Sequence, residues 1–201
     1  MYKTAYDIMA VVYILLQTGG LILLSRHFVH MLQQESYYKK QYLKHLTNCK
    51  KELLAPALVA VILIVKELFL HKSADHDSLY ELVLTALLSA LTVGATALAA
   101  HFINSKPAIK PLVYTARIKR LYVTLVILLL AAGVGCALLK AELLFSIAAP
   151  IISLFVLLAA VINSPIEYFI KQLYILDAKN IMAQNPNLKI VGITGSYGKT
   201  S

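Results

Sequence analysis

The sequence predicts an all-α membrane helix bundle of about five transmembrane helices, followed by the first strand of an α/β domain. The chain has 201 residues, of which 59% are hydrophobic and only 14% are charged. That composition is too apolar for a soluble domain of this length. The apolar residues also fall in runs long enough to cross a bilayer as helices. At the far end of the chain, the β-branched run Ile190–Ile193 has the composition of a buried strand.

Five apolar runs are the predicted membrane spans, and they place the bundle in residues 1–162. The spans are 8–24, 53–70, 79–103, 121–139 and 143–162. The first run is interpreted as an uncleaved helix, since no small-x-small cleavage site follows it. In the third run, small residues recur every four positions, which predicts a helix-packing face made by Ala86, Ala90 and Gly94. Pro150 is expected to kink the last span.

The charges predict the orientation of the bundle. The net charge is +9, and the basic residues concentrate in the loops after the first and third runs. The loops after the second and fourth runs are short and carry acids. The positive-inside rule therefore places the first and third loops in the cytoplasm and the N-terminus outside. Five spans then put everything after Ile162 in the cytoplasm. Because the lysines stand between apolar runs and not on one face, we expect no nucleic-acid binding.

The first basic loop, residues 26–51, leaves two interpretations open. It contains six Lys and Arg residues, one Glu and three Tyr. We favour an ordinary cytoplasmic loop that carries the charge determining topology. The alternative is an amphipathic helix that lies on anionic lipid headgroups.

Residues 163–186 are predicted to form an amphipathic cytoplasmic linker helix. Ser164 has the side chain of an N-cap, Pro165 suits the first helical position, and Glu167 completes a capping box. Apolar residues then recur on one helical face. Residues 187–201 form the predicted start of the next domain.

A glycine-rich turn follows the strand Ile190–Ile193. Residues 192–201 read Gly-Ile-Thr-Gly-Ser-Tyr-Gly-Lys-Thr-Ser, which has the arrangement of a phosphate-binding loop. Glycines allow backbone N–H groups to surround phosphate oxygens, a lysine reaches the β and γ phosphates, and the next hydroxyl binds Mg²⁺. The predicted ATP-binding residues are Gly195, Ser196, Gly198, Lys199, Thr200 and Ser201, and Thr200 is the predicted magnesium ligand.

This loop resembles the ATP-binding loop of the Mur ligases, the amide-bond-forming enzymes of peptidoglycan precursor synthesis. Its Gly-Ser-x-Gly-Lys-Thr-Ser form is most similar to members that add D-alanyl-D-alanine, although Tyr197 stands where the family often has asparagine. The resemblance implies ATP and Mg²⁺ as cofactors, and a UDP-linked muramoyl peptide and D-alanyl-D-alanine as substrates. The resemblance also implies a bacterial origin, and together with the predicted spans this places the chain in the bacterial plasma membrane as a multi-pass protein. Its expected partners include the lipid bilayer, and other cell-wall synthesis proteins are possible partners through the membrane part.

A phosphate loop that stops after its first helical residues suggests the front part of a longer protein. We therefore expect this segment alone to be inactive and to bind ATP undetectably. The alternative function is a membrane scaffold or transporter subunit with a non-catalytic nucleotide loop. The spans hold almost no ionisable residues, which argues mildly against a transporter. The two cysteines and six histidines have no metal-ligand spacing.

Overall fold

The structure is a computed structural model that describes residues 2–47, 79–105, 111–139 and 142–184, together with 57, 61 and 64. These residues form five α-helices: α1 (Tyr2–Gln34), α2 (Lys39–Leu46), α3 (Leu79–Asn104), α4 (Ala116–Leu138) and α5 (Ile152–Gln184). A 3₁₀ helix, Glu142–Ala148, lies between α4 and α5. The prediction of an all-helical membrane part is confirmed. The predicted strand 190–193 and the phosphate loop lie outside the described residues.

Four of these helices are long and apolar enough to cross a membrane, namely α1, α3, α4 and α5. They indicate a multi-pass membrane protein. Of the predicted span 53–70, only residues 57, 61 and 64 are described, and each is helical. The helix α1 has 33 residues, so it measures about 50 Å and exceeds a hydrocarbon core of about 30 Å.

The chain divides into two compact units, Met1–Asn163 and Ser164–Ser201. In the first unit, α1 is the central helix and packs against α3, α4 and the 3₁₀ helix. Its buried face includes Leu21, Leu24, Phe28 and Leu32, all with no exposed surface. The described part of the second unit is the C-terminal portion of α5, whose larger apolar side chains are mostly exposed.

The prediction that residues 143–162 form one continuous span is wrong. The apolar run 143–162 is divided between the 3₁₀ helix and α5, with a turn at Ala149–Ile151. Pro150 lies in this turn, and its missing N–H explains why the chain is interrupted there and not merely kinked.

The predicted helix start at Ser164 is also wrong. The helix α5 begins at Ile152 and continues through Pro165 to Gln184. An N-cap residue needs an extended backbone, whereas Ser164 is itself helical. Pro165 cannot donate the regular hydrogen bond to the Val161 carbonyl, a loss that membrane helices tolerate better than soluble ones.

Among the described residues, the small-residue face predicted for α3 makes no close helix contact at Ala90 and Gly94. Ala90 and Gly94 are exposed, and a Cβ placed on Gly94 would meet no atom within 4 Å. The buried residues of α3 lie on a different face of the helix, which begins two positions after Ala86. They are Leu88, Thr92, Thr96, Ala100 and Ile103. Small side chains permit close helix approach, but they do not decide which face makes it.

Candidate functional site: the basic end of the helix bundle

The predicted ATP-binding residues Gly195, Ser196, Gly198, Lys199, Thr200 and Ser201 lie outside the described residues. Their roles, including that of Thr200 toward Mg²⁺, stay predictions. Within the described ranges, no group of three His, Cys, Asp or Glu side chains could hold a metal ion. The candidate site that the structure describes is therefore a different one, at one end of the membrane bundle.

Hydrogen bonds connect the end of α1 to the segment before α4, and the end of α3 to the interior of α1. The Gln33 amide near the end of α1 donates to the Val113 carbonyl at 3.0 Å, and its oxygen accepts from the Val113 N–H at 3.2 Å. The Asn104 amide at the end of α3 donates to the Leu23 carbonyl of α1 at 2.9 Å. The segments that contain the two basic loops therefore lie at the same end of the bundle. We refer to this region, residues 26–47 and 111–122, as the basic end.

The turn after α1 is closed by a Schellman motif. The Tyr37 N–H donates to the Leu32 carbonyl at 2.9 Å, and the Ser36 N–H donates to the Gln33 carbonyl at 3.0 Å. Ser36 and Tyr37 have φ angles of 51° and 63°, a left-handed conformation that usually requires glycine. After this left-handed turn, the Tyr37 ring lies against Arg117 at the start of α4.

An arginine covers the Tyr37 ring. The guanidinium carbon of Arg117 lies 3.7 Å from the ring centroid, which is a close cation–π geometry. Arg117 is in the first turn of α4, which is capped by the Thr115 hydroxyl accepting from the Ile118 N–H at 3.4 Å. A further ring pair, Tyr114 and Tyr122, stacks with centroids 6.3 Å apart. The first and second basic loops are thus joined by direct side-chain contact.

The structure answers the question about residues 26–51 in part. Residues up to Gln34 extend α1, and Lys39–Leu46 form the separate helix α2, so the segment is not an ordinary loop. Tyr42 holds α2 in place, because its ring is fully buried and its hydroxyl donates to the Ser153 carbonyl at 3.0 Å. The opposite face of α2 is exposed.

The exposed face of α2 is both basic and apolar. Lys40 and Lys44 are exposed beside Leu43, which is 44% exposed, and Tyr38 just before the helix is 65% exposed. The acid nearest in sequence, Glu35, contacts His45 with 3.0 Å between Oε1 and Nδ1.

The charge of the basic end is almost entirely positive. Residues 26–47 and 111–122 contain seven Lys and Arg residues, Arg26, Lys39, Lys40, Lys44, Arg117, Lys119 and Arg120, and one acid, Glu35. The positive N-terminal end of α4 adds to this field. Such a surface attracts an anionic partner.

Two polar pairs lie deeper in the bundle and connect helices. The fully buried Gln17 of α1 donates from Nε2 to Thr96 Oγ1 of α3 at 3.0 Å, and the Thr96 hydroxyl lies 2.8 Å from the Thr92 carbonyl. Between α4 and α5, Asn163 donates from Nδ2 to Thr124 Oγ1 at 2.9 Å. Both pairs fix helix register, which is the usual role of such groups in apolar surroundings.

Sequence reasoning found the positive charge of this end but missed its organisation. The contact between Tyr37 and Arg117 joins residues that are far apart in the chain, and no motif marks it. The tyrosine-rich composition of residues 37–42 was the available signal, because tyrosine is enriched at membrane interfaces.

Comparison with known proteins adds no identification. The chain matches no protein-family model, and searches of the curated proteins and of the solved structures found no similar protein.

Proposed function

We propose that this chain is the membrane-anchoring part of an ATP-dependent amide-bond-forming ligase of the Mur type, acting in peptidoglycan precursor synthesis. The observation that carries the proposal is the sequence of residues 190–201, where a β-branched run, predicted to be a strand, leads into Gly-x-Thr-Gly-x-x-Gly-Lys-Thr-Ser. A chance Gly-Lys-Thr is common, but this strand, glycine spacing and lysine together are much rarer. The similarity to members that add D-alanyl-D-alanine sets the proposed substrate class.

The proposed reaction has two steps. ATP transfers its γ-phosphoryl group to a substrate carboxylate, giving an acyl phosphate and ADP. The amine of the incoming dipeptide then attacks the acyl carbon, forms the amide bond and releases phosphate. In such transfers the protein contributes positioning and charge stabilisation.

Each predicted loop residue has a role in the first step. Lys199 would bind the β and γ phosphates, and Thr200 would bind Mg²⁺, with Ser201 near the phosphates. The backbone N–H groups of Gly195, Ser196 and Gly198 would hold phosphate oxygens.

The bundle geometry supports one step of the orientation argument, the one that concerns the two basic segments. The positive-inside argument requires the two basic segments to share one side of the membrane. The contacts Gln33–Val113 and Tyr37–Arg117 hold these segments at one end of the bundle. The cytoplasmic location of the phosphate loop itself rests on the five-span prediction, in which the chain after Ile162 emerges on the side of the basic segments, where ATP and nucleotide-linked precursors are found.

The test uses the complete protein encoded by the gene, purified in detergent. Sequencing past Ser201 comes first, because a ligase needs further domains of some hundreds of residues. We expect release of ADP and phosphate that requires a UDP-linked muramoyl tripeptide and D-alanyl-D-alanine together, and its loss in Lys199→Ala. Lys189→Ala, which removes a lysine outside residues 192–201, serves as the matched control. A stop codon directly after Ser201, or turnover that Lys199→Ala leaves unchanged, would overturn the proposal.

A further inference from the structure

The basic end of the bundle has a surface that the proposed ligase activity does not use. It is formed by the exposed face of α2, with Lys40, Leu43 and Lys44, and by Tyr38 beside it. Within the described part of the chain, no ion pair engages Lys40 or Lys44. The nearest acid, Glu35, is already in contact with His45 at 3.0 Å. The two lysines are therefore available to an anion from outside the chain.

The position of α2 is fixed, so this surface is a constant feature of the bundle. Tyr42 and Leu46 face the core, and the Tyr42 hydroxyl is bound to the Ser153 carbonyl at 3.0 Å. In an α-helix, residues at i+3 and i+4 share a face. Lys40, Leu43 and Lys44 therefore turn outward together, which combines apolar and cationic groups on a single exposed face.

The apolar surface next to the basic end indicates which kind of anion the exposed face of α2 binds. On α1, α3 and α4, large apolar side chains are exposed close to the basic end: Leu23 is 59% exposed, Phe102 68% and Val123 61%. These side chains belong to helices long and apolar enough to cross a membrane. In the sequence, Leu23 lies three residues before Arg26 and Val123 directly follows Tyr122, so the apolar surface of α1 and α4 continues into the basic end. This continuity of cationic and apolar surface fits a lipid with an anionic headgroup better than a soluble polyanion.

We propose that the exposed face of α2 binds the anionic headgroup of a phospholipid of the adjoining leaflet, with Lys40 and Lys44 contacting the phosphate and Leu43 entering the acyl-chain boundary. The Arg117 side chain, held over Tyr37 at 3.7 Å, extends the positive surface toward α4. Because the site is built only from the membrane unit, this inference is independent of the proposed ligase activity.

The test exploits the absence of tryptophan from the chain. Leu43→Trp places a single tryptophan on the surface. The protein is reconstituted in bilayers that mix brominated phosphatidylglycerol or brominated phosphatidylcholine with unbrominated lipid, and quenching of the tryptophan fluorescence gives the relative binding constant of the two headgroups beside α2. We expect a clear preference for phosphatidylglycerol. Each lysine near an anionic surface raises the binding constant for an anionic headgroup about five-fold. The double variant Lys40→Gln with Lys44→Gln should therefore lower the preference for phosphatidylglycerol by about that factor for each lysine removed.

A charge-matched control separates a site from a general effect of net charge. Lys171→Gln with Lys179→Gln removes two exposed lysines of the second unit and should leave the preference unchanged. The preference should also fall as salt rises from about 0.1 M to about 1 M, since the screening length shrinks from about 10 Å to about 3 Å. Circular dichroism verifies that each variant stays helical.

Three results would overturn the inference. The first is equal quenching by the two lipids, which would show that the surface does not select an anionic headgroup and would favour a soluble anion as its ligand. The second is a preference that survives removal of Lys40 and Lys44. The third is an equal loss in the control pair, which would show a non-specific charge effect.

Discussion

The packing of α1 against α4 can be tested at Gly133. This glycine is buried in the contact of α4 with α1 and the 3₁₀ helix. A Cβ added at Gly133 would lie 2.7 Å from Ile14 Cγ2 and 3.4 Å from Phe145 Cε1. Carbon atoms pack best at about 3.5–4.0 Å, so Gly133→Ala must push Ile14 away by about 0.8 Å or more. Ile14 is buried and branched at Cβ, which leaves it little rotamer freedom.

A second glycine on the same helix supplies the matched control. A Cβ on Gly135 would meet no atom within 4 Å. Both substitutions gain the same helix propensity, about 1 kcal/mol. Their difference therefore measures the overpacking at Gly133, for which we expect about 1–3 kcal/mol. Gly135→Ala should raise the free energy of unfolding above that of the unmodified protein. The free energy of unfolding of Gly133→Ala should be about 1–3 kcal/mol lower than that of Gly135→Ala.

The assay is equilibrium unfolding in mixed detergent and sodium dodecyl sulfate micelles, followed by far-ultraviolet circular dichroism. Combining Gly133→Ala with Ile14→Ala removes the clashing methyl group, so the double-mutant cycle should show a favourable coupling of about 1–3 kcal/mol. Equal stabilities of the two glycine variants would refute the described packing of α1 against α4.

Three more predictions use the same unfolding assay. Ser36→Gly should stabilise the protein by about 0.5–1 kcal/mol, because it relieves a left-handed serine at φ 51°; a loss of stability would contradict the turn geometry. A cycle between Gln17→Leu and Thr96→Val should give a coupling of about 0.6–1.7 kcal/mol for their hydrogen bond, and additive effects would contradict that contact. Tyr42→Phe should cost about 1 kcal/mol through its lost hydroxyl bond, whereas Tyr38→Phe on the exposed side should change nothing measurable; equal effects would show that α2 is not anchored as described.

The helices of the membrane part could be predicted because the bilayer imposes them. A backbone within hydrocarbon must satisfy its own polar groups, so long apolar runs form helices. The predicted span 79–103 and the helix Leu79–Asn104 agree closely. The ends were harder to predict, since helices α1 and α4 continue into basic, interfacial sequence. The capping pattern at Ser164 predicted a helix start that does not occur, because the helix that begins at Ile152 continues through this residue.

Packing could not be predicted because it depends on pairs of residues distant in the chain. On α3, a stripe of small residues predicted the wrong face, and the face with Thr96 packs against α1, where Gln17 supplies a hydrogen-bond partner. At the basic end, the charge was evident from composition. The contact of Tyr37 with Arg117 follows from a left-handed turn that no glycine marks.

The proposed function requires the C-terminal part of the chain to lie in the cytoplasm. The most direct test is a pair of reporter fusions after Ser201, one to a fluorescent protein that folds only in the cytoplasm and one to alkaline phosphatase, which is active only outside. Fusions after Ser78, in the link predicted to lie outside, give the reference for the opposite orientation. We expect fluorescence without phosphatase activity after Ser201 and the reverse after Ser78. Phosphatase activity after Ser201 would place the phosphate loop outside and contradict the proposed function.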